Sequence, residues 1–191
     1  MTELLYTPHS YQKAMHASTA KNKVMEVARR GGKSRSAFWE LIDAWQEAQQ
    51  KPVARSLVPP FNAWVVGPTD DQLGQAWDEA NDFIPQAWVM NARVDEMEIY
   101  LKGVPGRPWG KVSFKSAFNP NALQTQGLDF LWVTESQDIS EQAYLRLLPM
   151  LTESGRMGRA VWEGIPALFK DHWFWRLCDL SQSGTNENYA Y

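Results

Sequence analysis

Residues 27–34 of the chain read V-A-R-R-G-G-K-S. Glycines let backbone N–H groups approach phosphate oxygens closely, and a lysine adds a point charge for the β- and γ-phosphates. A serine hydroxyl can bind Mg²⁺, and a helix that begins at this point adds its dipole. The stretch therefore predicts a phosphate-binding loop with Lys33 and Ser34 at its end. The strict motif has glycine where this chain has Val27, so a basic flexible turn is the alternative.

The segments on either side of this stretch favour the phosphate-binding interpretation. Residues 23–28 read K-V-M-E-V-A and predict a strand that runs into the glycines. Apolar residues then recur at helical spacing after Ser34: Ala37, Phe38, Leu41, Ile42, Trp45 and Ala48. The order of strand, glycine loop and helix is the context that a phosphate-binding loop requires.

Composition excludes several classes of protein. The chain has 191 residues with 44% hydrophobic side chains, enough for one domain with a sizeable core. Its net charge of −3 argues against a generic high-affinity nucleic-acid binder, although a local basic run leaves transient DNA contact open. One cysteine, Cys178, excludes an internal disulfide, and three scattered histidines do not favour a zinc site. We find no signal or membrane segment and expect a soluble, intracellular protein.

The rest of the chain alternates strand and helix patterns. The predicted elements are a strand at 63–67, a helix capped by Thr69 and Gln72, a hairpin of 97–101 with 112–114, a buried strand at 128–134, a helix capped by Ser140, a strand within 158–163, a helix from Asp171 to 177 and a loosely ordered tail at 181–191. This order predicts an α/β three-layer sandwich with a mainly parallel sheet and an added antiparallel hairpin. Ligands bind such sheets at the carboxyl ends of the strands.

The buried strand 128–134, L-D-F-L-W-V-T, ends at Glu135. A carboxylate at this position can orient or deprotonate an attacking water and help to hold Mg²⁺. The usual pair at such a strand end is Asp-Glu, but here it is Thr134-Glu135, and Thr134 can reach Mg²⁺ only through its hydroxyl or a bridging water. The alternative is that Glu135 is simply the first exposed residue after a buried strand.

Taken in order, these motifs resemble one family, the ATPase domain of the large terminase subunit of tailed bacteriophages. That family has the P-loop NTPase fold of the ASCE type. The stretches that carry the resemblance are 6–12 (Y-T-P-H-S-Y-Q), 16–21, 29–34, 64–69 with Gln72, 128–135 and 164–166 (G-I-P). They span the chain from about Tyr6 to Leu177, and their order and spacing are more specific than any single motif.

The resemblance implies a role for each matched residue. By this likeness Gln12 reads the adenine edge, Arg29 contacts the γ-phosphate, Glu135 activates water, and Ser34 binds Mg²⁺ with indirect help from Thr134. The likeness also implies nucleotide binding by Arg30, Gly31, Gly32 and Lys33, and a coupling turn of Gly164, Ile165 and Pro166. Lys33 and Arg29 are implied to be catalytic as well as nucleotide-binding.

The family likeness also implies cofactors and partners. It implies ATP and Mg²⁺ as cofactors and translocation of double-stranded DNA into a procapsid as the activity. The implied partners are the portal protein, the small terminase subunit and further copies of the chain in a ring, with a monomer expected for the isolated domain. The implied location is the host cell cytoplasm, without a membrane.

Two departures from the family pattern affect these expectations: Thr134 stands at the position of the strand-end aspartate, and a glutamine stands at the position of an arginine. The family often has Leu-Arg-Gly before the acidic strand, and its arginine is proposed to act on a neighbour's nucleotide, whereas this chain has glutamine at 124. Either another arginine fills that role (Arg93, Arg107, Arg146, Arg156 or Arg159) or the isolated domain hydrolyses slowly. Only 25 residues, 167–191, follow the coupling turn. We therefore expect an ATPase domain at 1–180, a polar tail or linker stub at 181–191, and no nuclease domain.

Two other functions fit the same motifs. A helicase-like or repair ATPase of the same superfamily shares the glutamine segment, the phosphate loop and the acidic strand. A degenerate nucleotide-binding module, which binds without hydrolysing, would account for Thr134 and Gln124 as lost catalytic residues.

Overall fold

Helices and strands alternate along the chain in the computed structural model, which describes residues 6–50, 59–123 and 126–191, without the side chain of residue 154. The α-helices are α1 (Ser10–Ala17), α2 (Lys33–Gln50), α3 (Asp70–Phe83), α4 (Glu141–Leu147) and α5 (Trp173–Ser183). The strands are β1 (Asn22–Glu26), β2 (Phe61–Gly67), β3 (Val89–Arg93), β4 (Glu98–Leu101), β5 (Gly110–Ser116), β6 (Phe130–Val133), β7 (Arg159–Gly164) and β8 (Tyr189–Ala190). Short 3-10 turns lie at Gln86–Trp88, Pro120–Ala122, Ser136–Asp138, Leu148–Leu151 and Glu153–Gly155.

All the described strands join one sheet in the order β3-β4-β5-β2-β6-β7-β1-β8. The strand pairs β5/β2, β2/β6, β6/β7, β7/β1 and β1/β8 are parallel, whereas β3/β4 and β4/β5 are antiparallel. The predicted α/β class, the mainly parallel sheet and the added hairpin are therefore confirmed. The strand β3 was not predicted, because four of its five residues are exposed and give no alternating apolar pattern.

Helices cover both faces of the sheet and divide the core into two layers. Helices α2 and α3 pack on one face, where Leu41, Leu73 and Trp132 are buried. Helices α4 and α5 pack on the other face around Trp162 and Phe174. Each fully buried side chain of this size contributes about 1.5–3 kcal/mol. The two layers hold the carboxyl ends of the parallel strands together at one edge of the sheet.

The predicted helix caps are partly correct. Thr69 accepts a hydrogen bond from the Gln72 backbone N–H at 3.4 Å and Ser140 accepts one from Ala143 at 3.3 Å, as predicted. The last helix differs from the prediction, because His172 and not Asp171 caps it, and it continues beyond Leu177 to Ser183. No described helix combines the length and the apolar character that a membrane crossing requires.

The C-terminal segment is more ordered than predicted. Its first residues complete α5, and Tyr189–Ala190 forms a strand parallel to β1. The Asn22 backbone N–H donates to the Asn188 carbonyl at 2.9 Å, and the Tyr191 hydroxyl donates to a Glu26 carboxylate oxygen at 3.0 Å. The expectation of a loosely ordered tail was wrong because backbone pairing at a sheet edge needs little help from side chains.

A buried carboxylate stabilises the antiparallel part of the sheet. Glu98 on β4 accepts hydrogen bonds from Tyr100 Oη at 2.7 Å, Lys111 Nζ at 3.0 Å and Ser113 Oγ at 3.0 Å. Burial alone would raise the pKa of Glu98, but these hydrogen bonds and the Lys111 charge lower it from 4.5 to about 2. The folded state therefore favours the charged carboxylate.

This depressed pKa predicts a loss of stability in acid. The contribution of Glu98 is complete above pH 4.5, the ordinary value, and is lost as the pH falls towards about 2. Between pH 7 and pH 3 the wild-type chain should lose about 2 kcal/mol more unfolding free energy than Glu98→Gln. Urea unfolding at both pH values measures this difference. The control is Glu96→Gln, which removes an exposed ion pair with Arg93 and should behave like wild type. If Glu98→Gln lost as much unfolding free energy between pH 7 and pH 3 as the wild-type chain, the assignment would be contradicted.

Candidate active site

The glycine loop connects β1 to α2 at the carboxyl edge of the sheet. It is fixed at its start by a hydrogen bond of 3.0 Å from the Val27 backbone N–H to the Gly164 carbonyl. Arg30 has φ 63° and Gly32 has φ 81°. Gly32 adopts this left-handed backbone without strain because it has no Cβ atom, whereas the same conformation costs energy at Arg30. The predicted context of strand, glycine loop and helix is thus observed.

Lys33 and Ser34 form the first residues of α2, so the positive end of the helix dipole lies at the loop. The Lys33 side chain is buried, and its Nζ is 4.0 Å from Oε2 of Glu163. The Ser34 hydroxyl donates to Oε1 of Glu163 at 3.3 Å. Both side chains therefore converge on one carboxylate from the end of β7.

Thr134 and Glu135 follow β6 directly, next to the loop. Glu135 has a left-handed backbone with φ 48° and ψ 49°, which is unfavourable for a residue with a side chain. Its Oε2 accepts a hydrogen bond of 2.7 Å from Nε2 of Gln137. Strained residues of this kind concentrate at functional sites, and here the strained backbone directs a carboxylate at the cleft described below.

The turn 164–166 lies at the end of β7 and contacts the same glutamine. The Ile165 backbone N–H donates to Oε1 of Gln137 at 3.0 Å. A Cβ added to Gly164 would lie 2.4 Å from that oxygen, so a larger residue here would have to displace the Gln137 side chain. Gln137 thereby links the Glu135 carboxylate to the turn that the resemblance assigned to coupling, and sequence reasoning did not identify it.

Helix α1 is bound to the glycine loop. Tyr11 Oη donates to the Gly31 carbonyl, and Nε2 of Gln12 donates to the Gly32 carbonyl at 3.1 Å. Oε1 of Gln12 accepts from the His9 backbone N–H at 2.7 Å, so both polar atoms of this side chain have protein partners. Gln12 lies in the wall of a cavity of about 290 Å³ whose other lining residues are Tyr6, Thr7, His9, Gly32 and Arg35.

A larger cleft of about 780 Å³ brings together most of the predicted site. The predicted residues that line it are Arg29, Arg30, Gly32, Lys33, Ser34, Thr134 and Glu135. Gln12 borders the smaller cavity, and neither set of lining residues includes Gly31 or the turn 164–166. The opposite wall is helix α3, whose polar residues face the cleft and were not predicted as site residues: Asp71, Gln72, Gln75, Glu79 and Asp82.

Sequence reasoning also missed Glu163, the residue that contacts Lys33 and Ser34. Its side chain is fully buried, and Oε1 accepts a further hydrogen bond from Nε1 of Trp132 at 3.2 Å. Burial raises the pKa of Glu163 to about 7, and the Lys33 ammonium and the Thr134 and Trp132 side chains offset only part of that rise. The signal was present, because R-A-V-W-E at 159–163 is a strand pattern that ends in an acid.

The arginines available for a trans-acting role differ in their contacts within the chain. Arg156 pairs with Asp129 and Arg159 pairs with Asp43 at 3.2 Å, so both belong to ion pairs within the chain. Ion pairs or hydrogen bonds also engage Arg93 with Glu96 and Arg146 with Asn121, and Nη1 of Arg107 is buried without a hydrogen-bond partner among the described residues. Position 124, where the family has its arginine, lies outside the described residues.

Comparisons with known proteins identify the fold. No protein-family model matches the sequence, and the search of curated proteins gave no match. Among solved structures, the large terminase ATPase domain of Thermus phage P74-26 matches with a TM-score of 0.73 and 24% identity, covering 91% of this chain and 70% of that one. The large terminase of bacteriophage HK97 matches with a TM-score of 0.72 and 9% identity, covering 97% of this chain and 39% of that one.

A third similar structure contains a nucleotide. It is the large terminase of another thermophilic bacteriophage in complex with ADP, with a TM-score of 0.67, 13% identity and coverage of 90% of this chain and 39% of that one. The chain therefore spans well under half of the HK97 chain and of the ADP-bound chain, and its fold is like that of the terminase ATPase domain. The resemblance predicted from the motifs is confirmed as a likeness in fold.

Proposed function

We propose that the chain is the ATP-hydrolysing motor domain of a viral large terminase, which drives double-stranded DNA into a procapsid. One observation carries the proposal: Lys33 and Ser34 at the start of α2 share a single cleft with the strand-end carboxylate Glu135. The terminase ATPase fold supports it. Portal protein, small terminase subunit and a ring of further copies are the partners that this function requires.

Each residue has a chemical task under this proposal. The loop amides and the Lys33 ammonium hold the β- and γ-phosphates, and the exposed Arg29 adds charge at the γ-phosphate. Glu135 accepts the proton of the attacking water. Gln12 lies in the wall of the smaller cavity and reads the edge of an adenine bound there. The turn at Gly164 transmits the state of the nucleotide through Gln137, which hydrogen-bonds both Glu135 and Ile165.

The residues at the cleft fit Mg²⁺, which prefers oxygen ligands and commonly shares them with substrate phosphates. Ser34 and Thr134, which line the cleft, offer hydroxyl oxygens. Glu163 does not line the cleft but accepts a hydrogen bond from Ser34, and its buried Oε2 has no hydrogen-bond partner among the residues that the structure describes. No group of three His, Cys, Asp or Glu side chains suited to a metal occurs in the described part of the chain. Bound there, Mg²⁺ would neutralise charge on the phosphates.

The test measures binding first and turnover second. With Mg²⁺ present, the purified chain should bind ATP, and its KM for ATP should lie in the range of about 1 μM to 1 mM. Linear double-stranded DNA and portal-bearing procapsids should then increase phosphate release. No ATP binding at millimolar concentration would contradict the proposal at its base.

The other two functions are outcomes of the same experiment. A helicase-like ATPase would unwind duplex DNA by itself and would not respond to procapsids. A degenerate module would bind ATP and release no phosphate even on procapsids. In that case Thr134 would be a lost catalytic residue.

A further inference from the structure

The side chain of Glu163 has an unusual environment for a carboxylate. It is fully buried at the end of β7. Oε1 accepts two hydrogen bonds, whereas Oε2 accepts none from residues 6–50, 59–123 or 126–191, and within these ranges the nearest cation is the Lys33 ammonium at 4.0 Å. Burial with one unpartnered oxygen disfavours the charged form of a carboxylate, and a cation bound to that oxygen would offset this cost. The unpartnered oxygen lies beside the two side chains, Lys33 and Ser34, that begin α2.

Strand register explains how Glu163 reaches this position. On β6 and β7, Val133 pairs with Trp162, so the residues that follow, Thr134 and Glu163, lie side by side at the carboxyl edge. Thr134 occupies the place where an acidic residue would assist Mg²⁺, and it has no charge. The next strand supplies a carboxylate within hydrogen-bond reach of the Ser34 hydroxyl, at 3.3 Å.

We propose that Glu163 supplies the carboxylate that binds Mg²⁺ together with Ser34, in place of the acid missing at Thr134. The inference rests on the proposed function, because the metal binds here with a nucleoside triphosphate. Mg²⁺ sites of this kind use one or two carboxylates plus phosphate oxygens, and Glu163 with the triphosphate satisfies that requirement. The incoming phosphates attract the Lys33 ammonium, which leaves Oε2 available to the cation.

The experiment separates metal binding from nucleotide binding. A non-hydrolysable ATP analogue is bound to the chain, and Mn²⁺ affinity is measured by electron paramagnetic resonance, with analogue affinity measured in EDTA. In Glu163→Gln, Mn²⁺ affinity should fall about 10- to 100-fold, while metal-free analogue affinity stays within about threefold of wild type. Glu98→Gln, which neutralises a buried carboxylate on another strand, is the control and should leave both values unchanged.

Rescue provides the sharper result. Adding Thr134→Asp to Glu163→Gln should restore Mn²⁺ affinity, because the carboxylate returns on the adjacent strand. If Glu163→Gln does not fold, Glu163→Asp keeps the charge on a shorter side chain and should still weaken Mn²⁺ binding with metal-free affinity intact.

Three outcomes would overturn the inference. Wild-type Mn²⁺ affinity in a folded Glu163 variant excludes the carboxylate as a ligand. An equal loss of analogue affinity in EDTA makes Glu163 a structural residue. Absence of analogue binding by the wild-type chain rejects the proposed function itself, and this inference with it.

Discussion

Lys33→Ala is expected to reduce kcat/KM for ATP on the order of a thousandfold. The Lys33 ammonium is the buried cation at the start of α2, beside the Ser34 hydroxyl and the Glu163 carboxylate. Charge on the transferring phosphoryl group grows in the transition state, so a fixed positive charge at this position stabilises it. Phosphate release with Mg·ATP, DNA and procapsids measures the effect.

The control for this substitution is Lys13→Ala. Lys13 is an exposed lysine on α1 that does not line either of the two cavities. Its removal should leave turnover within about twofold, in line with the small effects of surface substitutions. Circular dichroism must show that Lys33→Ala is folded, because the change leaves Glu163 without its nearest cation. A folded Lys33→Ala protein with wild-type phosphate release would refute the assignment of the loop.

The sequence predicted the local structure of the site because its signals are local. The apolar strand before the loop, the helical spacing after Ser34 and the caps at Thr69 and Ser140 each depend on residues a few positions apart. The structure contains all of them. The hairpin of β4 and β5 was predicted in the same way, from alternation on two short segments.

The parts that the sequence did not predict depend on contacts between distant segments. β3 and β8 are strands because neighbours pair with them, and their own sequences carry little apolar alternation. The α3 wall of the cleft follows from the packing of that helix on β2 and β5. A pattern in one segment does not show which segment will lie opposite it.

Glu163 shows the same limit within the site. The apolar segment that leads to Glu163 and the one that leads to Thr134-Glu135 have similar patterns, but only the order of strands makes β6 and β7 neighbours. The roles predicted for Gln12, Arg29 and the turn at Gly164 remain predictions. Substitutions at these positions test the three roles, because Arg29 lines the larger cleft, Gln12 lines the smaller cavity and the turn contacts Gln137.

Glu135 is the other residue whose removal should have a large effect. Gln137 fixes its carboxylate through a hydrogen bond of 2.7 Å, and the same Nε2 donates to Asp138 at 2.9 Å. Two neighbouring carboxylates therefore share one donor. Only Glu135 directly follows the strand end Thr134 beside the loop, so only Glu135 is expected to activate water.

Glu135→Gln should lower kcat about 10²- to 10⁴-fold and keep the dissociation constant for ATP within about threefold. The amide keeps the shape of the side chain but cannot accept a proton from water, so binding persists and turnover stops. Single-turnover phosphate release and binding of a fluorescent ATP analogue measure the two quantities. Asp138→Asn is the matched control and should retain turnover within a few-fold. If Asp138→Asn abolished hydrolysis and Glu135→Gln did not, the general base would be Asp138, and the strand-end carboxylate would serve only to contact Gln137.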